Sequence, residues 1–152
     1  MIVRLPRDLA TIGGPIFLPE GDPYLALSSV SGNVYLYSIE GKLVGQILFD
    51  GYCATVSICD APTYFVQKSG AKIDICALPQ AGVKARYELF GNASKSAYTL
   101  YQYNVGEVLP VVAARVTPEP LDSAYYYADL SEGSNVFRTL LFAVAIARLS
   151  RV

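Results

Sequence analysis

The sequence predicts an all-β fold: a β-barrel of about twelve short antiparallel strands enclosing one central hydrophobic C-terminal α-helix, at approximately residues 135–150. Three observations predict it. Turn signals recur about every eight to twelve residues, the rhythm of an all-β sandwich or barrel. The runs between them are rich in Tyr and β-branched residues. Tyr occurs 12 times in 152 residues, against 6 Phe and no Trp, and Tyr suits half-buried strands where the ring packs and the hydroxyl meets water. The last run differs in kind, because residues 140–147 contain no polar side chain. A surface helix carries one apolar stripe and one polar face. Two helical turns that are apolar all round need enclosure on every side, and a shell of strands supplies it.

Taken in order, residues 1–5 form a first strand. Pro6, Gly13-Gly14-Pro15, Pro19 and Gly21-Asp22-Pro23 then divide the chain into turns and short extended pieces, with Ile16-Phe17-Leu18 between them. Residues 24–29 form a strand. The plainest hairpin follows: residues 34–39 lead into Glu40-Gly41, and residues 42–49 return. Asp50-Gly51 turns into a strand at 52–59, Asp60-Ala61-Pro62 into one at 63–67, and Lys68-Ser69-Gly70 into one at 72–78. After the turn at 79–82 the scheme repeats. Strands are expected at 83–90, 97–103, 108–116 and 123–129, with Pro110 implying an edge or a bulge.

The final run alternates large and small residues, which a buried strand would tolerate. It nevertheless extends about sixteen residues without a turn signal, where strands run roughly 4 to 8. It is rich in Ala and Leu, and it follows Ser134-Asn135, good capping residues. A helix is the better reading. Arg138 and Arg148 leave nine residues between them, whereas a membrane span needs about 20, so the helix belongs to a core.

Length sets one domain, residues 1–152, large enough to bury a core without staples. The net charge of −1 gives no general pull toward nucleic acid. With no His, the Ser-His-Asp and Cys-His units, a His general base and a His metal ligand are all closed. Cys53, Cys59 and Cys76 match no zinc spacing, and their odd number argues against a disulfide framework. Their apolar, strand-like settings predict three buried thiols in a reducing cytoplasm. The amino terminus has early charges and an early Pro, and lacks the apolar core of a signal peptide.

A Tyr-rich series of hairpins closed by one wholly apolar helix resembles the tubby-like C-terminal superfamily, in its LURP-one-related and phospholipid-scramblase-like branch of small bacterial members. The residues that carry the resemblance are Tyr87-Glu88-Leu89-Phe90-Gly91-Asn92, Ser96-Ala97-Tyr98-Thr99-Leu100-Tyr101, Val111-Val112-Ala113-Ala114-Arg115-Val116 and Tyr125-Tyr126-Tyr127-Ala128-Asp129. An earlier match runs over residues 34–45, and the whole covers roughly 24–150. The resemblance implies a twelve-stranded barrel around a central C-terminal helix. It carries no site. No motif aligns with the basic phosphoinositide-binding residues of tubby domains, and the Cys-rich acylated segment of scramblases is missing. Scramblase-like proteins place a calcium-binding segment near the helix. Here Asp129-Leu130-Ser131-Glu132-Gly133-Ser134-Asn135 is oxygen-rich, but its Gly falls one position early and no Glu closes it, so it reads as a turn and a helix cap.

The residues that could bind a ligand are Lys84 and Arg86, two apart in a strand and so on one face, with Lys95 in the following connection. Lys68 and Lys72 bracket another turn. Together they could form a small cationic patch for an anionic head group or phosphate. The bland reading, cations that solvate a barrel wall and discourage edge pairing, carries more weight. Pairs such as Glu20 with Asp22, or Asp50 with Asp60, arise by chance among 13 acids. Gly13-Gly14-Pro15 is not a phosphate loop. Tyr125-Tyr126-Tyr127 lacks the basic stripe that base stacking requires.

The sequence therefore points to a non-enzymatic binding module without cofactor or metal. It would meet an anionic phospholipid or a protein partner at its outer surface, in the cytoplasm or peripheral to a membrane. The alternative is a structural protein that oligomerises through Tyr-rich strands. An enzyme using carboxylates and Tyr without His comes third.

Overall fold

The structure is a computed structural model, and it describes every residue except 19, 60–62, 78–84, 105, 132–134 and 152. Twelve strands appear in chain order: β1 (Ile2–Pro6), β2 (Gly14–Phe17), β3 (Pro23–Val30), β4 (Asn33–Ser38), β5 (Leu43–Asp50), β6 (Cys53–Ile58), β7 (Tyr64–Ser69), β8 (Lys72–Ala77), β9 (Ala85–Asn92), β10 (Ala97–Asn104), β11 (Val111–Pro118) and β12 (Tyr125–Leu130). Two helices join them, α1 (Leu9–Ile12) and α2 (Val136–Leu149), together with a 3-10 turn at Ala93–Lys95. The strands make one antiparallel sheet. It runs from β8 down to β1, passes to β12 and ends at β9. Period-2 burial explains this curvature: Val34 and Leu36 on β4, Ala54 and Val56 on β6, and Tyr126 and Ala128 on β12 all point inward.

The two edge strands, β8 and β9, lie side by side with Cα atoms within 8 Å. Among the described residues no ladder joins them. The barrel is nearly closed, with one seam. An inserted strand would need its flanking strands about 9.6 Å apart, twice the usual spacing, so the seam as it stands is too narrow for one.

Helix α2 fills the interior as the sequence predicts. Residues 138–147 and 149 are all buried. The helix packs on β5, β6 and β7 along one wall and on β11 and β12 along the other, so it is enclosed from opposite sides. It starts where Asn135 Oδ1 accepts from the backbone N–H of Arg138 at 3.1 Å. It ends where the Ser150 N–H donates to the Ile146 carbonyl at 2.9 Å. Phe142 sits in a ring cluster with Tyr64 and Tyr87, at centroid distances of 5.6 and 4.9 Å and edge-to-face angles.

The helix packs tightly against the wall at Gly45. A Cβ there would lie 2.8 Å from Leu141 Cδ1 and from Ile58 Cδ1, and 3.0 Å from the Ser57 carbonyl. Gly45→Ala is therefore expected to overpack the core and destabilise the chain by about 1–3 kcal/mol. Urea unfolding, with an unchanged m-value, measures it.

Two interior phenols predict the alkaline limit of the fold. Burial drives the Tyr126 hydroxyl well above the ordinary range, partly opposed by Arg7 and Arg151. Burial also raises Tyr98, with Tyr126 adding to the shift. Below pH 10 both phenols are neutral folded and unfolded, and their burial costs nothing in ionisation. Above pH 10 the unfolded chain releases protons that the folded chain keeps, so stability falls. The expected slope is about 1.4 kcal/mol per pH unit for each phenol. Burial raises Tyr64 and Tyr24 in the same direction, so Tyr126→Phe lowers the slope by about 1.4 kcal/mol per pH unit without abolishing it, read from urea midpoints between pH 9 and 11.5.

The structure differs from the sequence reading at three places. Leu9–Ile12 forms a helical turn with Leu9 and Ala10 buried, where only turns and extended pieces are expected. One turn is too short for periodicity to reveal. The strand expected at 108–116 begins at Val111, after Pro110, and a bulge between Leu100 and Tyr101 shifts its register with β10. The thiols are not buried: Cys59 and Cys76 are exposed and Cys53 is half-buried. Strand alternation explains this, since Ala54 and Ile75 take the inward positions and put Cys53 and Cys76 outside.

Candidate functional site

Up-and-down topology sorts the loops into two sets. Residues 31–32, 51–52, 70–71, 93–96 and 119–124, with α1 and the C-terminus of α2, gather at one end of the barrel. The connections at 18–22, 39–42 and 106–110, with the N-terminus of α2, lie at the other. Cross-end contacts agree with this placement. Arg148 Nη1 donates to the Gly32 carbonyl at 2.7 Å, and Arg7 Nη1 donates to Ser96 Oγ at 2.8 Å.

Charge follows the same division. The end at the C-terminus of α2 carries Arg7, Lys68, Lys72, Lys95, Arg148 and Arg151. Facing them are Asp8, Asp50, Asp74 and Asp122; Glu119 at this end is paired with Arg4 of β1 at 2.6 Å, so the surplus among the described residues is two positive charges. Asp74 is paired with Lys72 at 3.4 Å. The opposite end carries Glu20, Asp22, Glu40 and Glu107 against Lys42 among the described residues.

The basic end also exposes apolar tips. Leu121 is 94% exposed, Ile12 66%, Tyr52 61% and Val30 54%; the first three stand on connections at that end and Val30 closes β3 there. The opposite end exposes Ile39, Val108 and Leu109. A surface groove of about 560 Å³ opens beside them, lined by Lys68, Ile73, Asn92, Ser94 and Ser150. A second groove, about 770 Å³, follows the β8–β9 seam past Ile75, Tyr87, Leu89 and Phe90.

Of the sequence-predicted trio, the structure does not bring Arg86 and Lys95 together. Arg86 lines the seam groove. Its guanidinium is held by Glu88 Oε1 and lies 4.4 Å from the ring of Tyr103. Lys95 is exposed in the 3-10 turn beyond the far end of β9, its backbone N–H donating to Asn92 Oδ1 at 3.2 Å. Arg86 and Lys95 are thus separated by the length of the strand, about 20 Å. Lys84 lies outside the described residues. Lys95 instead joins Lys68 and Lys72, the pair that brackets the β7–β8 turn. Turn parity carries this grouping in the sequence: alternate connections of an up-and-down barrel share an end. The spacing rule for a single strand cannot show it.

The oxygen-rich loop at 129–135 lies partly outside the described residues, at 132–134. Asn135 does cap the helix there. Among the described residues no group of three or more Cys, Asp or Glu side chains could hold a metal ion. No helix among them is long and apolar enough to cross a membrane. Comparison of the chain with protein-family profiles, curated proteins and solved structures finds no match.

Proposed function

We propose that the chain is a non-enzymatic binding module, of the tubby-like and scramblase-like kind, that docks on anionic phospholipid through the basic end of its barrel. One observation carries this reading: exposed apolar tips coincide with a surplus of cations at this end, whereas the apolar tips of the opposite end, Ile39, Val108 and Leu109, stand among carboxylates. Apolar tips enter the boundary between head groups and acyl chains while cations meet anionic head groups. A core filled by its own helix has no room for a large internal ligand, so lipid is met at the outside of the barrel. The absence of His supports a role without catalysis. Co-sedimentation with phosphatidylserine-containing vesicles, and none with phosphatidylcholine alone, is the expected result. Equal sedimentation with both, or with neither, overturns it.

The second reading is a chain that oligomerises. Half-buried Tyr35 and Tyr37 on β4, Tyr101 and Tyr103 on β10, and Tyr125 and Tyr127 on β12 all stand on the outer wall. Light scattering that gives a monomer at every concentration removes it.

A further inference from the structure

Among the described residues, the interior holds one cation that the docking surface does not use. Arg138, in the first turn of α2, is 8% exposed. Its Nη1 donates to the Tyr87 hydroxyl at 3.2 Å, and its guanidinium lies 5.0 Å from the Tyr64 ring. Its Nε is buried without a hydrogen-bond partner, and among the described residues no carboxylate pairs with it. A buried cation without an anion is strongly disfavoured. The N-terminus of α2 adds the positive end of the helix dipole.

A second buried atom is also unsatisfied beside the same tyrosine. Gln102 is the cross-strand partner of Tyr87 and, like it, points inward. Gln102 is 9% exposed, and its Nε2 donates to Asn104 Oδ1 at 2.8 Å. Its Oε1 has no donor. The two orphans have opposite needs: Nε requires an acceptor and Oε1 requires a donor. A water molecule could serve either atom, yet it leaves the charge of Arg138 uncompensated. An oxyanion that retains a hydroxyl satisfies both atoms and the charge. Free hydrogen phosphate has this chemistry at neutral pH, and a phosphomonoester has it below about pH 6, where its last hydroxyl keeps the proton. Sulfate has the charge and lacks the proton near neutral pH.

Access runs through the seam. Tyr87 lines the groove between β8 and β9, and no ladder joins those strands among the described residues. Parting them there breaks side-chain contacts and no backbone hydrogen bonds. The groove itself carries balanced charge, in the Lys72–Asp74 and Arg86–Glu88 pairs.

We propose that Arg138 Nε and Gln102 Oε1, whose residues both neighbour Tyr87, form an internal site for one hydrogen phosphate group. The experiment compares chloride, sulfate, inorganic phosphate and glycerol 3-phosphate at one ionic strength, by thermal unfolding and calorimetric titration. Phosphate is expected to raise Tm by about 3 °C or more over sulfate and to titrate at one site per chain. Sulfate and phosphate both strengthen apolar burial in general, so the difference between them is the readout. Gln102→Leu is expected to equalise the two anions, and Arg138→Met to abolish the titration. Lys95→Glu with Arg151→Glu, at the opposite end, keeps the phosphate effect whatever becomes of vesicle binding. At pH 5.5, where both anions keep a hydroxyl, glycerol 3-phosphate matching inorganic phosphate assigns the ester form, and its failure assigns the free ion. Identical behaviour in phosphate and sulfate, or a phosphate effect retained in Gln102→Leu, overturns the site. If Arg138→Met does not fold, the wild-type titration and Gln102→Leu still decide.

Discussion

Ala145→Asp is expected to leave the chain unfolded or insoluble. Ala145 is fully buried in the middle of α2, with strands on opposite sides of the helix. A carboxylate there has no water, and removing an ionised group from water without a partner costs several kcal/mol. The larger side chain adds about 1–3 kcal/mol of overpacking. A domain of this size has roughly 5–15 kcal/mol of stability in total, so one substitution removes most or all of it. Thr117→Asp, on the exposed side of β11, is the control and leaves the fold intact. Circular dichroism with a urea melt distinguishes them. An Ala145→Asp chain that stays folded and cooperative would falsify the enclosure of α2, whereas a surface helix would accept the change for a few tenths of a kcal/mol.

Much of the architecture was readable because it rests on short-range periodicities. Alternation along β4 and β6, and Gly-containing turns such as Glu40-Gly41, mark strands within about two residues of where they occur. The all-apolar run at 140–147 identifies a helix that must be surrounded, and the strands supply the enclosure. What depends on long-range placement was not readable. The β8–β9 seam has no local signature, since each edge strand alternates like its paired neighbours. The helical turn at Leu9–Ile12 is stabilised by tertiary burial of Leu9 and Ala10. The cationic end is assembled from Arg7, Lys68, Lys95 and Arg151, which lie up to the full chain length apart. Strand parity places them together, while reading Lys84, Arg86 and Lys95 as one patch relied on closeness in sequence. Arg138 was visible only as the flank of an apolar run, and its unsatisfied Nε emerges from packing alone.

Vesicle binding is expected to fail when the charge of the basic end is reversed. Each Lys or Arg near an anionic surface contributes about 1 kcal/mol, and the end holds a surplus of two positive charges over its carboxylates. Full burial of a Leu or Ile side chain is worth about 1.5–3 kcal/mol, and Leu121 and Ile12 would each realise part of that on entering the interface. Together these terms reach about 6 kcal/mol, an affinity in the range of tens of micromolar lipid. That is reversible binding, comparable with a single acyl chain. Lys95 and Arg151 are both exposed and lie outside the strands. Their replacement by Glu therefore changes the charge by four with little effect on the core. The surplus of two becomes a deficit of two, and the loss of about 4 kcal/mol weakens binding to phosphatidylserine vesicles roughly 1000-fold. Leu121→Asp weakens it also, by about 10-fold or more, through loss of an apolar tip. Screening predicts that 0.5 M salt releases the wild-type chain. Arg86→Glu separates the two groupings of cations. Arg86 lies at the opposite end of β9 from Lys95, held by Glu88, so this variant keeps wild-type vesicle binding if the basic end is the docking surface. If Arg86→Glu releases the chain and Lys95→Glu with Arg151→Glu does not, the membrane-facing surface is the seam and not the end of the barrel.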